Sequence, residues 1–248
     1  MSAEEPSISE LMAKEEVGRA PGPDEVKLWE FLREDISETL RFLRWDNEGI
    51  TGKVKALVLP SIWAVVFYRI SSWAFHRSRL LWPVAMFFFW LNIVLFSCEI
   101  APGARIGPGM MIAHTVGVGI GHGVEIGKRF RIMKGATIAS AGRFLNRDPG
   151  VPTLGDDVWL MFMGAIGGKV TIGNRVMIAA GAGVVTDIPH HSFVLGNMTT
   201  REFLDLDLVI PEWQQPVQGP DGEWSSPLCR TIVGPPVPGF EPPPPEGS

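Results

Sequence analysis

Cysteine is scarce in this chain. Cys98 and Cys229 are the only two among 248 residues, too few for a disulfide framework or a thiolate metal site. Spaced clusters of histidine, cysteine and carboxylate are also missing, so no metal is expected. Basic residues are in deficit: 22 Lys and Arg stand against 27 Asp and Glu, a formal net charge of −5. A nucleic-acid partner would call for the opposite balance. The opening MSAEEPSISELMAKEE is acidic and has no apolar stretch, so no secretory signal is visible and a cytoplasmic location is expected. Charge is absent from residues 80–96, LLWPVAMFFFWLNIVLF, a run at the lower edge of membrane-spanning length. Pro83 and Asn92 interrupt it and Arg77 and Arg79 precede it. It reads as a helix buried against the core or a neighbouring subunit, with peripheral membrane contact as the alternative.

What is present divides the chain into four parts. Residues 1–22 read as disordered. Residues 23–98 read as an α-helical region. Pro23 and Asp24 suit a helix start, and Val26, Leu28, Trp29, Leu32, Ile36, Leu40 and Leu43 recur at helical spacing up to about Trp45. Two more apolar helices are expected over 54–76 and 79–97, with Pro60 and Pro83 near their starts, where proline is best tolerated. A repetitive β region covers 99–200 and contains a loop at 139–153. From 201 onward the chain turns proline-rich, ending GPPVPGFEPPPPEGS, and reads as an extended or disordered tail.

The repeat has a period of six. Aliphatic residues stand at Ile100, Ile106 and Ile112 and, after two extra residues, at Ile120, Ile126, Ile132 and Ile138. Beyond the loop the register resumes at Leu154, Leu160, Ile166, Ile172, Ile178 and Val184. The next residue is usually Gly or Ala, and the fourth after is often small or aliphatic, as at Ala104, Val124, Ala136 and Val170. Six fits neither a helix face nor a hairpin meander. It fits a parallel β-helix whose short strands each turn an aliphatic side chain inward, with small residues where the corners bend or the backbones crowd.

The segment CEIAPGARIGPGMMIAHTVGVGIGHGVEIG, with the YRIS run at 68–71 and the WLNIVLFSCEI approach before it, resembles the serine acetyltransferase family of hexapeptide-repeat acyltransferases. The likeness extends over about residues 45–200. It implies a mainly β fold, a left-handed parallel β-helix of hexapeptide repeats preceded by an α-helical N-terminal region. It implies homotrimers or dimers of trimers with active sites between subunits, and acetyl-CoA as co-substrate with no permanently bound cofactor. The family's I-D-H-x-x-G context appears as Ile112-Ala113-His114-Thr115-Val116-Gly117, so the resemblance makes His114 the general base. It makes Glu99 the carboxylate that orients His114. Imidazole suits the task, because its pKa lies near working pH and a carboxylate on the other ring nitrogen fixes the tautomer. His122 reads as structural, His76 as a helix cap, and His190 and His191 as solvated.

For the acceptor, the resemblance points to Asp46, Arg147 and Asp148. Two family contacts are replaced: Ala113 stands where an Asp precedes the histidine, and Asp148 stands where the family has His. An arginine can hold a carboxylate bidentately, and a carboxylate can hold an ammonium group. For coenzyme A, the resemblance points to Ala139 and Ser140 in the 139–142 turn, to Gly164, and to Ala180 and Ala182. Met161, Phe162 and Met163 are bulky where the family is small, and either narrow the thioester channel or face a neighbouring subunit. The function implied is O-acetylation of a small, serine-like hydroxylated acceptor. One alternative is a sugar or polysaccharide-precursor acetyltransferase near the membrane, and another a non-catalytic β-helix scaffold.

Overall fold

The computed structural model describes residues 8–13, 15–140 and 150–195, with short strands farther on at 203–205, 217–218 and 224–225. A short helix α1 (Ile8–Met12) comes first and α2 (Leu28–Phe42) second. Pro23, expected to open α2, instead begins a single 3-10 turn at Pro23–Glu25, and Val26 and Lys27 are extended before the helix starts. The helix expected over 54–76 is two helices, α3 (Ile50–Leu57) and α4 (Pro60–Arg77). A proline ring crowds the residue before it out of helical space, and Leu59 is accordingly extended at φ −78°, ψ 121°. α5 (Trp82–Phe96) follows a 3-10 turn at Arg79–Leu81.

From Cys98 the chain winds into coils of three strands. The first sheet stacks β1 (Cys98–Ile100), β4 (Val118–Ile120), β7 (Thr137–Ala139), β10 (Ala165–Gly167) and β13 (Gly183–Val184). The second stacks β2 (Arg105–Ile106), β5 (Glu125–Ile126), β8 (Thr153–Leu154) and β11 (Thr171–Ile172). The third stacks β3 (Met111–Ile112), β6 (Arg131–Ile132), β9 (Trp159–Leu160), β12 (Met177–Ile178) and β14 (Ser192–Val194). Pairing between coils is parallel and in register, so Ile100 lies beside Ile120 and Ile120 beside Ile138. A further strand at Phe203–Asp205, inside the stretch expected to be an extended or disordered tail, pairs antiparallel with β14.

Two side chains per repeat point inward, one more than the six-residue register alone indicates. The second is the residue two before each register position, and Ala104, Met110, Val124, Phe130, Ala136 and Val158 are all fully buried. Alternation along a strand requires this, because residues two apart share a face. Each buried aliphatic contributes about 1.5–3 kcal/mol. The glycine after the register residue is there for close approach: a Cβ on Gly107 would lie 2.5 Å from the Gly127 carbonyl oxygen. The unusual φ falls two residues later, at Gly109 but also at Arg129, Asp157 and Arg175.

The corners are named by the sheets they join. The first corner runs from the first sheet to the second, the second corner from the second to the third, and the third corner returns to the first sheet of the next coil. The helices cover the start of the prism. The Tyr68 hydroxyl donates to the Ala104 carbonyl at 3.0 Å. Arg69, fully buried, donates to Asp35 of α2 at 2.7 Å and to the carbonyls of Ile106 and Gly107 at 2.6 and 2.7 Å. Asp35 also accepts the Met110 amide at 2.8 Å. Burial pushes the Asp35 carboxyl up, while Arg69 and the Met110 and Gly109 amides pull it back down. This buried pair clamps α2 and α4 onto the second corner of the first coil.

Nothing in the composition of residues 1–22 predicts order, yet residues 15–18 lie along the second corner of the last coils. Asn174 Oδ1 accepts the Gly18 amide at 2.7 Å, and its Nδ2 donates to Glu15 and to the Glu16 carbonyl, both at 2.8 Å. Glu15 meets Arg175 at 2.7 Å and His191 at 3.0 Å. Although burial opposes it, the Asn174 amide, His191 and Arg175 hold the Glu15 carboxyl down at about 2. His190 and His191 are therefore not the solvated turn residues the sequence suggested. The Asn174 amide donates to His190 Nδ1 at 2.9 Å, and His191 faces Glu15. They stand 16 residues after Asn174 and Arg175, one coil farther on, which delivers them to the corner where the N-terminal segment docks.

Candidate active site

The three outer faces of the prism are used differently. On the third sheet, Arg131 pairs with Glu38 of α2, and the Trp159 ring meets Phe42 of α2 edge-on at 6.0 Å. On the second sheet, Arg105 and Glu125 pair across neighbouring strands. The first sheet presents outward the column Glu99, Gly119, Thr137, Ala165 and Gly183. Its members after Glu99 are small, so this face is shallow and its backbone accessible.

His114 stands at one edge of that face. The two extra residues between Ile112 and Ile120 lengthen the third corner of the first coil, and His114 is exposed on it. The Gly117 amide donates to the Ser97 carbonyl at 2.8 Å, and Val118 pairs with Cys98. The lengthened corner is thereby stitched to the strand that carries Glu99. Among the described residues no hydrogen bond joins Glu99 to His114. Both stand at the same end of the first face, Glu99 on the first strand and His114 at the corner leading into the second.

Aromatic and cationic groups gather beside His114. The Phe162 ring, on the third corner two coils farther on, lies 5.9 Å from the imidazole at 25° between planes. Lys134, on the corner between them, places Nζ 5.9 Å from the same ring. Phe162 was singled out by its bulk in the sequence. Lys134 was not, because one lysine at a repeat corner carries no signal until the coils are stacked. Phe162 also packs against the cluster of Met133, Trp159 and Met177, as does Ala113. Asp46 is exposed in the 3-10 turn Asp46–Glu48, four residues beyond Phe42, which belongs to that same cluster.

The remaining candidates fall elsewhere. Ser140 and Gly150 bracket residues 141–149, which contain Arg147 and Asp148 and lie outside the described residues. Both brackets stand at the first corner, the opposite edge of the first face from His114. The strand between the two edges, β7, is three residues long, about 10 Å at 3.3 Å per residue. Ala139 and Ser140 share the loop's edge, and Ala180 is exposed on the third corner of the fourth coil. Gly164 and Ala182 point into the prism. A Cβ on Gly164 would lie 2.6 Å from Leu160 Cδ1, and Ala182 belongs to the inner core. Their smallness fits the interior, and only their backbones could touch a ligand.

His122 meets the Phe75 ring at 5.7 Å, and His76 Nδ1 lies 2.8 Å from the Ser72 carbonyl in the last turn of α4. Cys98 is fully buried, and burial pushes its thiol up to about 12, which removes it as a nucleophile. Among the described residues no group of three potential metal ligands converges.

No protein-family model matches the chain. Serine acetyltransferase of Helicobacter pylori is 33% identical over 164 residues, which is 66% of this chain and 94% of that protein. A soybean serine acetyltransferase solved in complex with serine is 26% identical, with a TM-score of 0.57 and 68% of each chain covered. A Brucella abortus serine acetyltransferase solved with coenzyme A is 23% identical, with a TM-score of 0.58, covering 68% of this chain and 64% of that one. The last likeness is one of fold alone.

Proposed function

The chain belongs to the serine acetyltransferase family and is a coenzyme A-dependent O-acetyltransferase, and we propose that His114 is its general base, oriented by Glu99. The solenoid is the left-handed parallel β-helix of that family. Its co-substrate is acetyl-CoA and its acceptor a serine-like hydroxyl compound. The observation that carries the site proposal is the lengthened third corner, which holds an exposed imidazole beside the shallow first face of the prism, with its outward column of small residues.

In this reading a nitrogen of His114 removes the proton from the acceptor hydroxyl as its oxygen attacks the thioester carbonyl. The carbonyl π electrons move onto oxygen, and backbone N–H groups of the 139–142 turn stabilise that oxyanion. The C–S bond then breaks, and the departing thiolate takes the proton back from the imidazolium. Glu99 holds the ring and balances its transient charge. Transfer is direct, a mechanism supported by the burial of Cys98.

The same reading makes the enzyme a homotrimer or a dimer of trimers. Within one chain the loop carrying Arg147 and Asp148 leaves from the edge of the first face opposite His114. A neighbouring subunit's loop edge beside this His114 would complete the site, with Asp46, Arg147 and Asp148 on the acceptor. The shallow first face and exposed Ala180 suit an extended pantetheine arm, which would meet Ala139, Ser140 and the backbones at Gly164 and Ala182. The proposal places the enzyme in the cytoplasm, with its coenzyme A thioester.

The test is thiol release from acetyl-CoA with serine, homoserine and simple sugars as acceptors. Release with a hydroxyamino acid, lost in His114→Ala, supports the assignment. Undiminished release in His114→Ala refutes it, and release with sugars alone moves the acceptor to the surface-polysaccharide class.

A further inference from the structure

Helix α5 is apolar all round, yet only one side of it is covered. Its inner side is locked to α4: Ser71 donates to the Ala85 carbonyl at 2.7 Å, Asn92 to the Ala64 carbonyl at 3.1 Å, and Phe67 meets Phe88 at 5.4 Å. Its outer side shows Trp82, Phe87, Trp90 and Val94, each more than half exposed, and Leu80 just before the helix is 89% exposed. So large an apolar face on a folded protein marks an interaction surface. Residues 80–96, expected to be a helix buried against the core or a neighbouring subunit, are covered within the chain by α4 on one side.

The charges around this face share one sign. From Gly49 to Cys98 the sequence has no Asp or Glu, but has Lys53, Lys55, Arg69, Arg77 and Arg79. Arg69 is consumed by Asp35 inside the fold. Arg77 and Arg79 are exposed where α5 begins, in a chain of formal net charge −5. Beside them an open groove of about 690 Å³ is lined by Phe75, Arg79, Leu80, Trp82 and Pro83.

We propose that the outer face of α5, with Arg77 and Arg79 at its rim, docks the enzyme peripherally on an anionic lipid surface. Indoles at the head-group level, apolar side chains below and cations on the phosphates are the chemistry such a surface selects. A two-fold contact between copies fits the face less well, because it must be self-complementary and would bring arginines together without a carboxylate from the same region. A three-fold contact joins two different patches and is read out by the mass in solution. The helical run Arg79–Phe96 has 18 residues and by length and composition reaches the lower edge of a membrane span. Packing argues against spanning, because α4 occupies the inner side of α5 and leaves only the outer side for lipid. The inference is independent of the acceptor and of the role of His114.

The experiment is flotation of the full-length protein with phosphatidylcholine vesicles, with and without phosphatidylglycerol, alongside its mass in solution. Binding to the anionic vesicles, weakened by salt, is expected. Trp82→Glu/Trp90→Glu and Arg77→Glu/Arg79→Glu should each lower the bound fraction about tenfold or more. Both should keep the wild-type melting temperature and acetyl transfer, because these side chains lie outside the core and the site. Absence of flotation, with a wild-type mass that falls to a half or a third in Trp82→Glu/Trp90→Glu, would assign the face to another copy of the chain and overturn the proposal. Equal binding to neutral vesicles, unchanged in the arginine variant, would overturn it too.

Discussion

The second and third corners of the prism are built from the same six-residue repeat and put their side chains to opposite uses. At the second corner they are spent on the molecule itself. Arg129 pairs with Asp157 on the next coil, Asn174 holds Gly18 and Glu15, Arg175 and His191 share Glu15, and Asp35 and Arg69 grip the carbonyl of Gly107 and the amide of Met110. At the third corner His114, Lys134, Phe162, Met163 and Ala180 project outward. Only ring and cation contacts among the described residues join His114, Lys134 and Phe162. A solenoid repeats its backbone, so what distinguishes a structural corner from a chemical one is where side-chain bonding capacity is left unspent.

Substitutions at the two corners should therefore separate activity from stability. The largest effect is expected at the third. His114→Ala should lower turnover by about 10²–10⁴-fold while moving stability by no more than about 0.5 kcal/mol, as for other exposed positions. Turnover assays beside thermal melts measure both, and a loss of stability equal to the loss of activity would erase the contrast.

Next comes the clamp on the first coil. Arg69→Met leaves Asp35 buried without its counter-charge and two carbonyls without a donor, at about 3–5 kcal/mol. Denaturant unfolding should register this cost, with turnover per folded molecule unchanged. A smaller loss is expected from Asn174→Ala, which strips partners from the Gly18 and Asp156 amides at about 1–3 kcal/mol. Hydrogen exchange at Gly18 should quicken in that variant, and unchanged protection would show that the N-terminal segment docks by other means.

The smallest effect is a pH dependence at the same place. The Glu15 carboxyl, ordinarily near 4.5, is held at about 2 when docked. A depressed carboxyl contributes stability above its free pKa and loses it as pH falls through the bound one. Docking of residues 15–18 should thus persist at neutral pH and weaken progressively between about 4.5 and 2. Glu15→Gln should remove that acid step from the exchange profile of Gly18. The pair is largely solvent-screened, so its contribution is at most about 1 kcal/mol.

Much of this organisation can be read in the chain before it folds. The six-residue register from Ile100 to Val184 specifies coils, because each strand's alternation sends its own aliphatic inward whatever lies above it. The lengthened interval between Ile112 and Ile120 and the Ile112-Ala113-His114 context single out the corner with the base. Proline chemistry at Pro60 divides α3 from α4 by a local rule, although the periodicity of 54–76 ran through it. These signals are local, and local geometry is enough to read them.

What the sequence alone does not decide depends on how many coils separate two residues and what covers each face. Phe162 reaches His114 only because two coils stack in register, and Lys134 acquires meaning only from lying between them. Gly164 and Ala182 look like a ligand channel in the sequence and prove to face the core, since inward and outward positions differ by one residue along a strand. Residues 15–18 are polar enough to read as disordered, and only the ladder of Asn174, Arg175 and His191 gives them partners. The run at 80–96 is apolar on every side, so its composition cannot say which side packs. The docking of α4 against Ala85 and Asn92 decides that, because a helix can bury only the side its neighbour reaches.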